Sequence, residues 1–410
     1  MLYWLWGCQA PGLAAAHIDR FAGGAVTQGS RRVEGRATGL RADLLAVGVW
    51  ASGCLVVAFW AVRLSYLAAP DNLSRPGVLA RFAHFDYVHF DEIARLGYLP
   101  EPGTASTPAP LYAFFPAVPM LFRAGMALGV SSLTTGLLVS AVSGAVACVW
   151  LRRIADLYQP GLGLKSVAVF VFAPPAIFLY APYTEPLFLA LALGAWYFGR
   201  KGNWAAAGLL CAASCTVRIS GAFLLAALLV LWITQYRDGG AGPDMRRPTP
   251  GSLLYLVLPG AVLAGWMAYL AVITGDLFAY QTAQKYWDRQ LEWPWAALER
   301  TIEEYPPMRG PDVMGYAEAI AVGAGVVVTV ILIYRRLYGE GVFVGLNVLA
   351  LGTSAYFVSV PRSALLWWPL WIGIAYLLRR SLLALVLYLM LSLTLMLWWA
   401  NLFLTGRWAG

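Results

Sequence analysis

Charge is scarce in this sequence. Of its 410 residues only 12% are Asp, Glu, Lys or Arg, three are histidine, and lysine occurs only at 165, 201 and 285. A soluble domain ordinarily carries about a quarter charged residues, so this chain cannot clothe a water-facing surface all round. The net charge of +8 does not point to nucleic acid, because the arginines fall in small clusters between apolar runs and nothing resembles an RNA- or DNA-binding module. The five cysteines (Cys8, Cys54, Cys148, Cys211, Cys215) show neither CxxC nor zinc-type spacing. Four of them lie in apolar runs and read as packing residues. There is no P-loop, GxGxxG or HExxH. That argues against a nucleotide-driven pump, a zinc protease and the usual nucleotide-sugar enzymes, which have soluble domains. The opening "MLYWLWGCQAPGLAAAH" has no basic residue ahead of its apolar stretch, so no cleavable signal peptide is predicted.

What is present in excess is apolar. Hydrophobic residues make up 60% of the chain and the mean hydropathy is +0.66. Runs near 20 residues, each able to cross a hydrocarbon core of about 30 Å, recur from Leu44 onward. The expected class is an all-α polytopic transmembrane bundle; a β-barrel would show short alternating strands instead. About eleven spans are predicted, at 44–68, 132–151, 164–182, 185–199, 203–216, 220–235, 252–274, 313–334, 341–358, 364–378 and 381–400. With 1–43 as a basic, partly disordered cytoplasmic tail, the pairs Arg152/Arg153, Arg200/Lys201, Arg246/Arg247, Arg335/Arg336 and Arg379/Arg380 all fall on the cytoplasmic side. Segment 111–129 carries Pro116, Pro119 and Arg123; as a full span it would turn every later pair outward. It is therefore read as an interfacial or re-entrant helix. Residues 44–410 then form one transmembrane domain with large outer loops at 69–131 and 275–312.

The isolated polar residues converge on the outer face. "HFDYVHFDEIARLGY" (84–98) packs three carboxylates and two histidines into fifteen residues. Asp86 and His89, three apart, share a helix face. Asp86, set among aromatics, could be a general base, a helix cap or an ion-pair partner. His89 could orient Asp86, contact a phosphate, join Asp86 in holding a divalent ion, or be structural. Asp91, Glu92 and Arg95 read as a solvated face. Glu185, in "APYTEP", is a functional candidate as an ionisable residue beside a span, or a helix-terminal charge suited to the dipole. Arg218, in "CTVRISG", requires an anion: a phosphate or a carboxylate such as Glu185. Arg362, in "SVPRSALLWWP", could bind phosphate or snorkel. The loop "GDLFAYQTAQKYWDRQLEWPW" brings Gln281, Gln284, Lys285, Asp288, Arg289, Glu292 and several aromatics including Trp287, a mixture suited to a sugar or to an interfacial helix. Such a set suggests chemistry on a lipid-linked phosphate. The rival reading is a flippase or transporter for polyprenyl-linked sugars, which would want charges within its spans and on both faces of a pathway.

The segments "FDYVHFDEIARLGY", "YAFFPAVP", "APPAIFLYAPYTEPLFLAL", "CTVRISG", "GDLFAYQTAQKYW", "VPRSALLWWP" and "TGRWAG" together resemble the PIG-V family of mannosyltransferases, which act in glycosylphosphatidylinositol (GPI) anchor assembly. The resemblance runs in order from about residue 80 to the C-terminus. It implies a GT-C type glycosyltransferase that uses a polyprenyl-phosphate-mannose donor and inverts the anomeric centre. It also implies an essential acid in the first outer loop, here Asp86. Arg218, with Arg362 or Lys285 and with Glu185 nearby, would then serve the donor phosphate. Phe85 (where the family usually has Trp), Tyr183, Gln281, Gln284 and Trp287 would face sugar or acceptor. No cofactor is required beyond the lipid-linked donor, with a divalent metal left open. The partners implied are membrane lipids, that donor and a glycolipid, lipoglycan or protein acceptor, on the extracytoplasmic side of a plasma membrane. The Ala-, Leu- and Arg-rich composition resembles that of a high-GC bacterium.

Overall fold

The structure is a computed structural model that describes residues 28–67, 77–238 except 102, 105 and 107, 247–303 and 313–409. α1 (Gln28–Leu67) precedes the first large loop, which holds α2 (Asp86–Leu96) and α3 (Ala117–Ala127). There follow α4 (Ser132–Tyr158), α5 (Gly163–Val171), α6 (Ile177–Tyr180), α7 (Thr184–Arg200), α8 (Trp204–Cys215), α9 (Ser220–Arg237) and α10 (Leu254–Thr274). The second large loop holds α11 (Ala279–Gln284) and α12 (Pro294–Glu303). The chain ends with α13 (Val313–Tyr334), α14 (Tyr338–Gly352), α15 (Val360–Ala364), α16 (Trp368–Leu378) and α17 (Leu382–Leu404). Among the described residues there is no strand, only one antiparallel bridge between Leu291 and Ser354.

The helix ends follow local chemistry. Ser131, Asn203 and Ser381 accept at their side chains from the backbone N–H of Thr134, Ala206 and Ala384, so α4, α8 and α17 start with a satisfied donor. Gly275, at φ 73°, ends α10 in the left-handed region that glycine enters without strain. α4 packs on α7, α7 on α8, and α14 between α9 and α13. Small residues let these helices approach: a Cβ on Gly144 would stand 2.2 Å from the Trp50 ring.

Among the described residues six helices are long and apolar enough to cross a membrane, and the bent pair α5–α6 makes a seventh if counted as one span. That pair corrects the expected unbroken span at 164–182. Pro174 and Pro175 follow α5, and the chain turns by 75° there, as proline in a helix path demands. Two further spans are shorter than expected. α14 stops at Gly352 rather than 358, and 364–378 divides into α15 and α16. Residues 28–43, expected within a tail, run into α1, while 1–27 lie outside the described residues. Segment 111–129 yields only the eleven-residue α3, which packs on α2 and α4.

The polar residues sort by end. Asp43 pairs with Arg152 and Arg153, Arg200 with Glu340, and Lys165 donates to the Arg379 carbonyl, so Arg152, Arg153, Arg200 and Arg379 share one end of the bundle, while Arg246 lies outside the described residues. Glu185 opens α7 and Arg200 closes it, about 22 Å away at 1.5 Å per residue. Asp86, Glu185, Arg218 and Arg362 gather at that opposite end, joined by ion pairs.

Candidate active site

The first large loop enters α2 through Phe85, held at φ 55°, a conformation that is uncommon for a bulky residue. The buried Tyr183 explains how it is held. Its hydroxyl donates to the His84 carbonyl (3.2 Å) and accepts from the Asp86 N–H (3.3 Å), straddling the turn. Asp86 is thereby the first residue of α2, where a negative charge suits the helix dipole. Its Oδ2 receives Arg362 Nη1 at 2.7 Å. Among the described residues its Oδ1 has no partner, and Asp86 lines a cavity of about 360 Å³.

Arg362 is built in as firmly as the carboxylate it holds. Its Nε lies 2.6 Å from Glu185 Oε1 and its Nη2 3.3 Å from Oε2, while its guanidinium covers the Tyr183 ring at 4.5 Å. Glu185, 0% exposed, also takes Arg218 Nη1 at 2.6 Å. The result is a continuous chain of alternating charge, Asp86–Arg362–Glu185–Arg218. Burying so many charges is tolerable only because each is paired at hydrogen-bond distance. Behind Arg362, the fully buried Glu318 accepts from the N–H groups of Ser359 (2.9 Å) and Val360 (2.7 Å) at the start of α15. Ser359 sits at φ 61° there, so this carboxylate stabilises a strained turn that aims Arg362. We expect Glu318→Leu, which orphans two buried donors at about 1–3 kcal/mol each, to lower stability by about 2–5 kcal/mol in thermal unfolding. Glu318→Gln retains one acceptor and should fall in between.

Aromatic rings wall the cavity. His89 stacks on Phe114 at 4.9 Å and meets the edge of Trp287 at 6.2 Å, and Phe85 meets Trp408 edge-on at 5.5 Å. Burial pushes the His89 pKa down, against the opposing pull of Asp86 and Glu92, and burial lowers that of His84 too. Both rings are therefore neutral at pH 7. A depressed folded-state pKa means that the unfolded chain takes up protons first as pH falls. The stabilisation from these rings is thus full above the unfolded value of about 6.5 and declines below it. Unfolding midpoints between pH 7.5 and 5 should fall with acidification, and less steeply in His89→Gln.

The second large loop closes over this wall. The Glu292 N–H donates to the Thr353 carbonyl (2.8 Å) beside the Leu291–Ser354 bridge, and the Phe357 N–H to Thr301 Oγ1 (2.7 Å). These bonds bring Gln284, Trp287 and Arg289 to the cavity that Asp86, His89, Arg218 and Arg362 line.

Several expectations are corrected. Glu185 does not face the cavity; it braces two arginines from behind. Tyr183 likewise supports Arg362 and the α2 turn rather than facing ligand. Lys285 and Gln281 are exposed and outside the cavity lining. Glu92 is not solvated: it is 5% exposed and accepts from the Ser106 N–H. Asp91 pairs with Arg95 at 2.9 Å but also takes the Ser132 hydroxyl, tying α2 to α4. Among the described residues no third acidic, His or Cys side chain joins Asp86 and His89, and Arg362 takes one oxygen of the carboxylate. Arg289 stood out only as one polar residue of the loop at 275–295 and Trp408 only within "TGRWAG"; Glu318 was missed, although an acid inside an apolar 22-residue helix is a signal.

The comparisons bear on this site. A family model described as Mannosyltransferase (PIG-V) matches residues 65–298, which includes the cavity residues from Phe85 to Arg289 and stops short of Arg362 and Trp408. Over 184 residues the chain is 32% identical to the GPI alpha-1,6-mannosyltransferase 2 of Mus musculus, covering 42% of this chain and 36% of that protein. Over 176 residues it is 31% identical to the Homo sapiens protein of that name, covering 40% and 34%. It is 30% identical over 89 residues to the GPI mannosyltransferase 2 of Yarrowia lipolytica, covering 21% and 25%. The chain thus spans about a third of the mouse and human relatives it matches. No solved structure matches. With its model matched over more than half of the sequence, the chain belongs to the PIG-V mannosyltransferase family.

Proposed function

We propose that this protein is a membrane mannosyltransferase that moves mannose from a polyprenyl-phosphate donor to an acceptor hydroxyl, with inversion, on the extracytoplasmic face. One observation carries the reading. A carboxylate, Asp86, has one oxygen locked on Arg362 and the other without a partner among the described residues, in a cavity shared with Arg218 and Arg289. The locked oxygen fixes the orientation. Oδ1 can accept the acceptor's proton as its oxygen attacks the anomeric carbon. The C1–O bond to phosphate breaks on the opposite side, and its electron pair leaves with the phosphate. A phosphate leaving group needs no acid, so one carboxylate suffices, and nearby guanidiniums stabilise the charge it gains.

The position of the site supports the side assigned to it. Basic clusters mark cytoplasmic ends, and Asp86 lies at the end away from them. The singled-out charges sit at one end rather than along a path through the bundle, which favours transfer over transport. The test is purified full-length protein in nanodiscs with labelled polyprenyl-phosphate-mannose and a total lipid extract from its host. Label passing into a new lipid or glycan product supports the reading. Donor movement between leaflets without any product would sink it in favour of a carrier.

A further inference from the structure

Three guanidiniums line the cavity, and two of them are neutralised. Arg218 and Arg362 share Glu185, and Arg362 also holds Asp86. Arg289 lines the same cavity, yet among the described residues its side chain has no ion pair and no hydrogen-bond partner. Its electrostatic neighbours are Tyr280, Arg362, Asp86 and Arg218, and the one carboxylate among these forms its ion pair with Arg362, through Oδ2. Its place is fixed by the backbone. Asp288 turns the chain at φ 54°, the Arg289 N–H returns to the Gln284 carbonyl at 3.2 Å, and the bridge to Ser354 follows two residues on. The charge sum is three guanidiniums against Asp86 and Glu185, with His89 neutral, which leaves one positive charge over. A half-buried guanidinium inside an aromatic-walled cavity keeps its proton and is costly to hold without an anion.

We infer that Arg289 binds the phosphate of the lipid-linked donor and stabilises the charge that gathers there in the transfer step. The inference rests on the transferase reading above. One surplus positive charge matches a sugar phosphodiester, which carries a single negative charge, rather than a nucleoside-diphosphate sugar, which carries two. As the C1–O bond breaks, the phosphodiester monoanion becomes a phosphomonoester dianion, and the acceptor's proton passes to Asp86. Negative charge therefore moves from the carboxylate to the phosphate. Among the described residues Arg289 is the one cavity guanidinium that no carboxylate holds in an ion pair, so its interaction with the phosphate strengthens along this path. Its planar fork can serve two phosphate oxygens at once.

The test uses the full-length protein in nanodiscs, with farnesyl phosphate as the phosphate probe and farnesol as its neutral counterpart. Wild type is compared with Arg289→Gln, Arg289→Lys and Arg289→Met; the last retains the aliphatic stem and serves if the Gln variant does not fold. Farnesyl phosphate should bind wild type more tightly than farnesol does. Arg289→Gln should weaken farnesyl phosphate by about 10- to 100-fold, the loss of a charged hydrogen bond, and leave farnesol unchanged. The lysine variant should recover part of the loss, since an ammonium supplies charge without the fork. In mannosyl transfer, Arg289→Gln should lower kcat in addition to raising the donor KM. Wild-type transfer together with unchanged farnesyl phosphate affinity in the Gln and Met variants would overturn the role of Arg289 alone. A wild type that transfers no mannose and does not prefer farnesyl phosphate would overturn both this inference and the transferase reading.

Discussion

Asp86→Asn should retain the fold and the donor site but lose about 10²–10⁴-fold in mannosyl transfer, the range for removing a general base. The amide keeps the size of the carboxylate, and its oxygen can still accept from Arg362, so the turn at Phe85 and the Tyr183 contacts persist. What it cannot do is take a proton from the acceptor hydroxyl. The measurement is the initial rate with labelled polyprenyl-phosphate-mannose, alongside equilibrium donor binding, for both proteins. Equal binding with a collapsed rate places the base at Asp86. A variant that retains more than about a tenth of the wild-type rate, a loss below the catalytic range, removes Asp86 from that role.

Glu185→Ala should be the most destabilising single change in this region. Glu185 is fully buried and neutralises Arg218 and Arg362 together. Its removal leaves two guanidiniums facing each other across an empty site. Breaking a buried pair costs about 3–5 kcal/mol, because a charge remains unpaired and out of water; here that charge is Arg218, while Arg362 is left with Asp86 alone. Thermal unfolding in detergent should show a large drop in midpoint. Glu185→Gln, which keeps acceptor geometry but not charge, should show a smaller one. An unchanged midpoint in the alanine variant would mean that Glu185 does not brace the arginines. Activity should fall in both variants, since Arg362 orients Asp86.

The cluster from His84 to Tyr98 was legible because a charge-poor chain makes every ionisable group conspicuous. The three-residue spacing of Asp86 and His89 was also sufficient to place both on one wall of the cavity. Arg218 and Arg362 were conspicuous for the same reason, but their partner was not. A lone arginine announces that it needs an anion; it does not say whether that anion is a ligand or a carboxylate 33 or 177 residues distant in sequence. Lys285 and Arg289 show the same limit at short range. Both sit in one polar loop, and the left-handed turn at Asp288 decides which of them reaches the cavity.

By itself the sequence determined the class of fold, the approximate course of the helices and the grouping of the basic pairs. Hydropathy and the cost of burying charge act locally, on each stretch of chain as it partitions between lipid and water. Only the tertiary structure decided that Glu185 is a brace, that Glu318 holds the turn before Arg362, and that Arg289 is the cation left over. Those roles depend on which charges stand within about 3–4 Å of one another, and that distance is set by helices packing side by side rather than by neighbours along the chain.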